Sequence, residues 1–410
     1  MPPEPAAAGP GPALPDRGRA DACPGALRLH RADDGALARV RVPGGLLTGG
    51  QLRVLAEAAE ALGDGHLETT SRGNVQLRGL GSDAGGELGA RLRAAGLLPS
   101  DRHERVRNIV ASPPAGLDGR GHADVQAWVR ELDRGLCASE WATGLSGKFL
   151  FALDDGRGDV AALDADVTLI ARPGGGALLR LGRAATARPV PPGAAVAAAL
   201  DAARDFLAAL RATGTAAWHL RDAPDLLDPG PLPLPAVATD PHPPLGTLPG
   251  GLAVGLRFGR APADRWRLLA DAAPDELRLT PWRGAVLPGA PGEWLPRLAA
   301  AGFRTESGTA WDGATACTGA PGCAKSLADV RAHARAALDA ATEPGAPGTP
   351  AHPGLPVHWS GCERRCGHPR GVWVDVLATG QGYRVTRGAA SGEVTTHEMA
   401  EAVAEARRTT

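Results

Sequence analysis

Lysine and asparagine are nearly absent from this 410-residue sequence: Lys148 and Lys325 stand against 42 arginines, and Asn74 and Asn108 are the only asparagines. Arginine has replaced lysine wherever a positive charge sufficed, so the surviving lysines are expected where a compact ammonium is required. Net charge is also lacking, since 44 basic side chains cancel 45 acidic ones. That balance excludes long-range attraction to nucleic acid or to an anionic membrane. No eighteen uncharged apolar residues run together, so no membrane span is expected. The start, residues 1–19, is rich in Pro, Ala and Gly without the basic and apolar regions of a signal peptide, and reads as a disordered segment of a cytoplasmic chain. A G-x-G-x-x-G fingerprint is missing too. Electrons would then come from a separate donor.

Cysteine is sparse, and in a reducing cytoplasm six cysteines argue against a disulfide framework. Cys23 and Cys137 stand alone and read as ordinary small thiols. The other four are paired, Cys317 and Cys323 as C-x5-C in "ACTGAPGCAKS", then Cys362 and Cys366 as C-x3-C in "SGCERRCGHP". Two thiol pairs on glycine-bearing turns can converge on one centre with four thiolate ligands, either zinc or an iron–sulfur cubane. The five-residue gap exceeds the usual zinc knuckle and favours a [4Fe-4S] cluster.

The chain is organised as a repeat. "GALARVRVPGGLLTGGQLRVLAEAAEALGDGHLETTSRGNVQLRGL" reads as strand, turn, amphipathic helix after Thr48, and strand. A related pattern returns after residue 250, where "LTPWRGAVL" echoes "TTSRGNVQL" with Arg283 in the place of Arg72. Nine prolines between Pro224 and Pro249 mark a linker, and "EPGAPGTPAHPGLP" a surface loop between the cysteine pairs. "DVTLIARPGGGALLRLG" reads as a hairpin.

The cysteine spacing, its order and its glycines resemble the cluster signature of the sirohaem-dependent nitrite and sulfite reductases and their relatives. "LETTSRGNVQLRGL", "ERVRNIVASP" and "GLSGKFLFALDDG" resemble that family's Thr-x-Arg, Arg-Asn-Val and Lys-Phe-Lys segments. The resemblance implies an α+β fold of two ferredoxin-like half-domains with pseudo-twofold symmetry, each followed by a mixed α/β reductase-type domain. The implied boundaries are 20–98 and 99–222 for the first pair, 223–249 for the linker, and 250–304 and 305–410 for the second pair. It implies that Arg72, Arg107 and Lys148 bind a carboxylate-rich tetrapyrrole; independently of it, the rarity of asparagine and lysine adds Asn74, Asn108 and Lys325 to the expected substrate-binding residues. It also implies that Cys317, Cys323, Cys362 and Cys366 hold a [4Fe-4S] cluster. Leu150 departs from the family pattern, standing where the second lysine of Lys-Phe-Lys belongs.

Within the family, the opening "RADACPGALRLHRADDGALARVRVPGG", the "TSRGNVQLRGL" segment and the His-Pro after Cys366 resemble the precorrin-3B synthases of aerobic cobalamin biosynthesis. That branch implies precorrin-3A and dioxygen as substrates, with hydroxylation at C20 and lactone formation. It further implies a non-haem iron whose ligands the sequence does not assign, His368 reading as a loop histidine, and an NADH-dependent reductase or ferredoxin as donor. The rival expectation is a sulfite or nitrite reductase in which sirohaem is bridged to the cluster by Cys366.

Overall fold

The computed structural model describes residues 14, 21, 23–234, 243–341, 354–369 and 371–408. The expected disordered start lies outside the described residues apart from residue 14, as do parts of both proline-rich stretches. Two similar units follow one another twice. The first half-domain runs β1 (His30–Ala32), β2 (Gly35–Val40), β3 (Leu46–Leu47), α1 (Gly49–Leu62), β4 (His66–Thr69), β5 (Val75–Leu80) and α2 (Gly85–Ala94). After it come β6 (Ile109–Ala111), α3 (Val125–Cys137), β7 (Phe151–Asp154), β8 (Val167–Ala171), β9 (Ala177–Leu181), β10 (Thr186–Val190), α4 (Ala195–Thr213) and β11 (Leu232–Pro233). The second half-domain repeats the first as β12 (Gly246–Leu248), β13 (Gly251–Gly255), β14 (Arg260–Pro262), α5 (Ala263–Ala272), β15 (Leu277–Leu279), β16 (Gly284–Pro288) and α6 (Trp294–Ala300). The second reductase-type domain holds β17 (Ala314–Ala316), α7 (Val330–Ala340), β18 (Val357–Ser360), β19 (Val374–Ala378), β20 (Tyr383–Arg387), β21 (Ala390–Val394) and α8 (Met399–Arg407).

Thr48 caps α1 in a full capping box with Gln51, fixing the helix start that the sequence pattern gives. Its leucines at 52 and 55 are fully buried, each contributing about 1.5–3 kcal/mol by leaving water. The residues read as a hairpin form antiparallel β8 and β9. One boundary differs: β12 falls inside the stretch read as linker, because Gly246–Leu248 pairs with β13 and opens the second half-domain.

The half-domains exchange strands. Their sheets are ordered β1-β2-β5-β4-β14 and β12-β13-β16-β15-β3, so each is completed by a short strand from the other half. Glycine permits the exchange, since a Cβ on Gly45 (φ +72°) would come within 2.0 Å of the Leu279 carbonyl oxygen, and one on its counterpart Gly259 (φ +75°) within 3.0 Å of Thr69 O. α1 and α5 then bury one core in which Leu52, Leu55 and Leu67 join Leu252, Trp266 and Leu277. Trp266 donates its indole N–H across the join to Leu67 O at 3.3 Å.

The two reductase-type sheets also match. In β6-β7-β8 and in β17-β18-β19 the strands are parallel, and an antiparallel meander follows each. Parallel neighbours place the turns that leave β17 and β18 at the same edge of the sheet. Both cysteine pairs lie on those turns. Among the described residues no helix is long and apolar enough to cross a membrane.

Candidate functional site

A cavity of about 620 Å³ opens where the two half-domains meet both reductase-type domains. Arg72 and Arg283 reach it from corresponding hairpin tips, β4 to β5 and β15 to β16. The turns share their chemistry, with Thr70 N–H on Asn74 O and Thr280 N–H on Gly284 O, each at 2.9 Å. Burial lowers the pKa of both guanidinium groups, Arg72 and Arg283 alike. Arg72 donates to Lys148 O at 3.2 Å. Arg283, held at φ 60°, has no hydrogen-bond or ion-pair partner for its side chain among the described residues. A half-buried, unpaired cation on a cavity wall favours an anionic ligand. Arg221 and Arg304 also line the cavity, Arg304 in an ion pair with Asp312. Trp282, Trp311, Phe258 and Leu150 supply apolar wall. Arg283 was legible in the internal echo of the Arg72 segment, whereas Arg221 and Arg304 carried no sequence signal.

The other expected ligands are placed differently. Lys148 stands beside the cavity, its Nζ 5.2 Å from the centre of the Trp218 ring. Arg107 is turned away: its guanidinium is bonded to both oxygens of Asp133 at 2.7 Å and to Leu97 O at 3.0 Å, and it borders a separate hollow of about 300 Å³. Asn74 and Asn108 are buried and bonded to each other at 3.2 Å, with Asn74 Oδ1 accepting from Val42 N–H and Asn108 Nδ2 donating to Phe149 O. They join the half-domain to the sheet behind the cavity wall rather than entering it. Lys325 is exposed on the turn beyond Cys323.

The cysteine turns are tightly anchored. Cys317 follows β17 and donates its N–H to Trp359 O at 2.9 Å, while Gly361 N–H points at Cys317 Sγ at 3.3 Å. Gly361 must be glycine, since a Cβ there would lie 1.8 Å from Ser326 Oγ. The first turn is fixed by Arg331 donating to Cys317 O, by Arg78 donating to Gly322 O, and by Ala324 N–H on Asp33 Oδ2. All four thiols are free, Cys366 exposed and the others half-buried, and burial raises the Cys317 thiol pKa. Gly367, His368 and Pro369 carry the second turn directly into the cavity wall. His368 stacks on Trp373 at 5.2 Å and donates from Nδ1 to Pro369 O.

The donor chemistry of the two adjacent turns, four thiols and a backbone N–H aimed at sulfur, fits a thiolate-bound cluster. Among the described residues, however, no three or more His, Cys, Asp or Glu side chains stand together as a metal-holding group. No constellation for a separate non-haem iron is present among them.

Residues 29–95 match the model of the nitrite/sulfite reductase ferredoxin-like half domain. This segment is similar to that half domain. Over 96 residues the chain is 42% identical to the ferredoxin–nitrite reductase of Leptolyngbya laminosa, covering 23% of this chain and 19% of that protein. Over 152 residues it is 33% identical to the precorrin-3B synthase of a Sinorhizobium species, covering 37% of this chain and 32% of that one. The chain thus aligns with about a fifth to a third of the length of these relatives. In three dimensions it resembles the NirA protein of Mycobacterium tuberculosis, with a TM-score of 0.63 and 21% identity over 89% of this chain and 79% of that one. The half domain, its repeat and both reductase-type sheets therefore share one known fold.

Proposed function

We propose that the protein is an oxygen-dependent precorrin-3B synthase that binds precorrin-3A in the cavity between its two halves. The observation that carries this reading is the pair of corresponding half-buried arginines, Arg72 and Arg283, facing one space with Leu150 where a second lysine would stand. Guanidinium groups on two sides suit a macrocycle with carboxylates around its rim. The apolar Leu150 leaves the site poorly furnished to bind and protonate a small anion.

Arg72 and Arg283 take substrate carboxylates, Trp282 and Phe258 pack on the macrocycle face, and the enclosing walls exclude water. Lys148 adds positive charge beside Arg72. Cys317, Cys323, Cys362 and Cys366 would hold the cluster, which when bound supplies electrons singly from a separate reductase or ferredoxin. Their side chains must turn inward from the adjacent turns to do so.

The test supplies purified protein with precorrin-3A, a reductant and labelled dioxygen. Label in the tetrapyrrole product, with feeble sulfite and nitrite reduction, is expected. The second reading, a sirohaem-dependent nitrite or sulfite reductase, draws support from the identity with ferredoxin–nitrite reductases. A sirohaem absorption spectrum with robust anion reduction and no labelled product would establish it instead.

A further inference from the structure

The turn between Cys362 and Cys366 is tied to the sheet by one side chain. Arg365 lies in the left-handed region at φ 45°, its N–H donates to Cys362 O at 3.1 Å, and its carbonyl accepts from His368 N–H at 3.3 Å. From this pivot its Nε donates to Asp375 Oδ2 at 2.6 Å, on β19, and its Nη1 to Glu363 at 2.6 Å. Asp375 is sheltered, with 15% of its side chain exposed, and its Oδ1 is buried without a partner.

The loop after β7 in the first reductase-type domain also holds an arginine tie, without any cysteine. There Arg157 binds Asp155 and, at 2.8 Å, Asp118. Asp118 lies on the loop after β6, so only the second copy ties its loop to the next strand, and there the arginine sits between two thiols. We propose that Arg365 and Asp375 are positioning residues for the C-x3-C turn, and that their opposed charges set the electrostatic environment of the group those thiols hold. This rests on the cluster reading above.

The test compares Asp375→Asn, Arg365→Gly and the double variant in the full chain. Glycine accepts the left-handed backbone at 365, so Arg365→Gly removes the guanidinium without adding strain. A reduced cluster carries one more negative charge, so the two single variants should shift its reduction potential in opposite directions. Asp375→Asn leaves Arg365 less neutralised and should raise the potential, Arg365→Gly should lower it, and the double variant should return toward the parent. In metal-free protein both single variants should speed amide hydrogen exchange over residues 361–369 by about tenfold or more. Unchanged exchange overturns the tie, and shifts of equal sign overturn the charge role. Faster exchange in protein that takes up neither iron nor sulfide upholds the tie and overturns the cluster reading instead.

Discussion

The two reductase-type sheets share strand order and register sense, yet they end their first two strands in different chemistry. After β6 and β7 the first copy builds a polar net, in which, among the described residues, only Asp159 Oδ2 and Gln126 Oε1 are buried without partners. Asp154 accepts four backbone N–H groups, from Gly156, Gly158, Val160 and Ala161, at 2.8–3.1 Å. Ser112 Oγ donates to Asp159 at 2.6 Å, and Arg157 joins Asp155 to Asp118. After β17 and β18 the second copy instead carries free thiols, beside His358 Nε2 and Ser360 Oγ, which are likewise buried without partners. A duplicated scaffold can thus keep one copy as structure and give the other to chemistry. The cavity lies between them and takes wall from both.

The largest effect should come from the second copy. Replacing Cys362 with Ser is expected to abolish or gravely weaken cluster binding, since iron–sulfur centres select soft sulfur, while Cys137→Ser leaves it intact. Iron and sulfide analysis of anaerobically purified protein decides this, and equal loadings would remove Cys362 from the ligand set. In the first copy, Arg157→Met strands the buried Asp155 carboxylate and should cost about 3–5 kcal/mol of stability without altering the second copy's iron content. Denaturant unfolding measures it. A loss below about 1 kcal/mol would mean the first net is not holding its loop.

A subtler difference between the copies appears with pH. Burial, and then the neighbouring Asp154 charge, push the Asp159 pKa up to about 7. The folded state then binds more protons at Asp159 than the unfolded state between about pH 4 and 7, so this contribution is full below pH 4 and is lost as pH rises through 7. Asp159→Asn should remove that falling slope, worth about 1–3 kcal/mol across the window. Unfolding curves at pH 5 and 8 with the same difference in variant and parent would contradict it. Smallest is Lys148→Arg, which keeps charge but loses the compact ammonium over Trp218. Activity should drop about tenfold, roughly 1.4 kcal/mol, and full activity would make Lys148 an ordinary charge.

Local chemistry was legible in the sequence where it is carried by neighbours in the chain. The C-x5-C and C-x3-C turns, the capped helix at Thr48, the β8–β9 hairpin and the echo of Arg72 in Arg283 are all of this kind. What escaped depends on distant partners. The exchanged strands β3 and β14 hold two and three residues, too few to show a period, and form only because the other half supplies an edge. Arg107 looked like a ligand because nothing nearby in sequence reveals that Asp133, on α3, occupies it. Asn74 and Asn108 stand out by their rarity, and what they form is a buried amide pair joining two domains.

The central claim is that one cavity grips a polycarboxylate tetrapyrrole from both halves of the repeat. Anaerobic titration of precorrin-3A into the parent protein, Arg72→Gln, Arg283→Gln and the double variant tests it most directly. Saturable binding by the parent is expected, weakened about tenfold by each single change, or 1.4 kcal/mol, and about a hundredfold by both together. No binding by the parent, or equal binding by all four proteins, would contradict it.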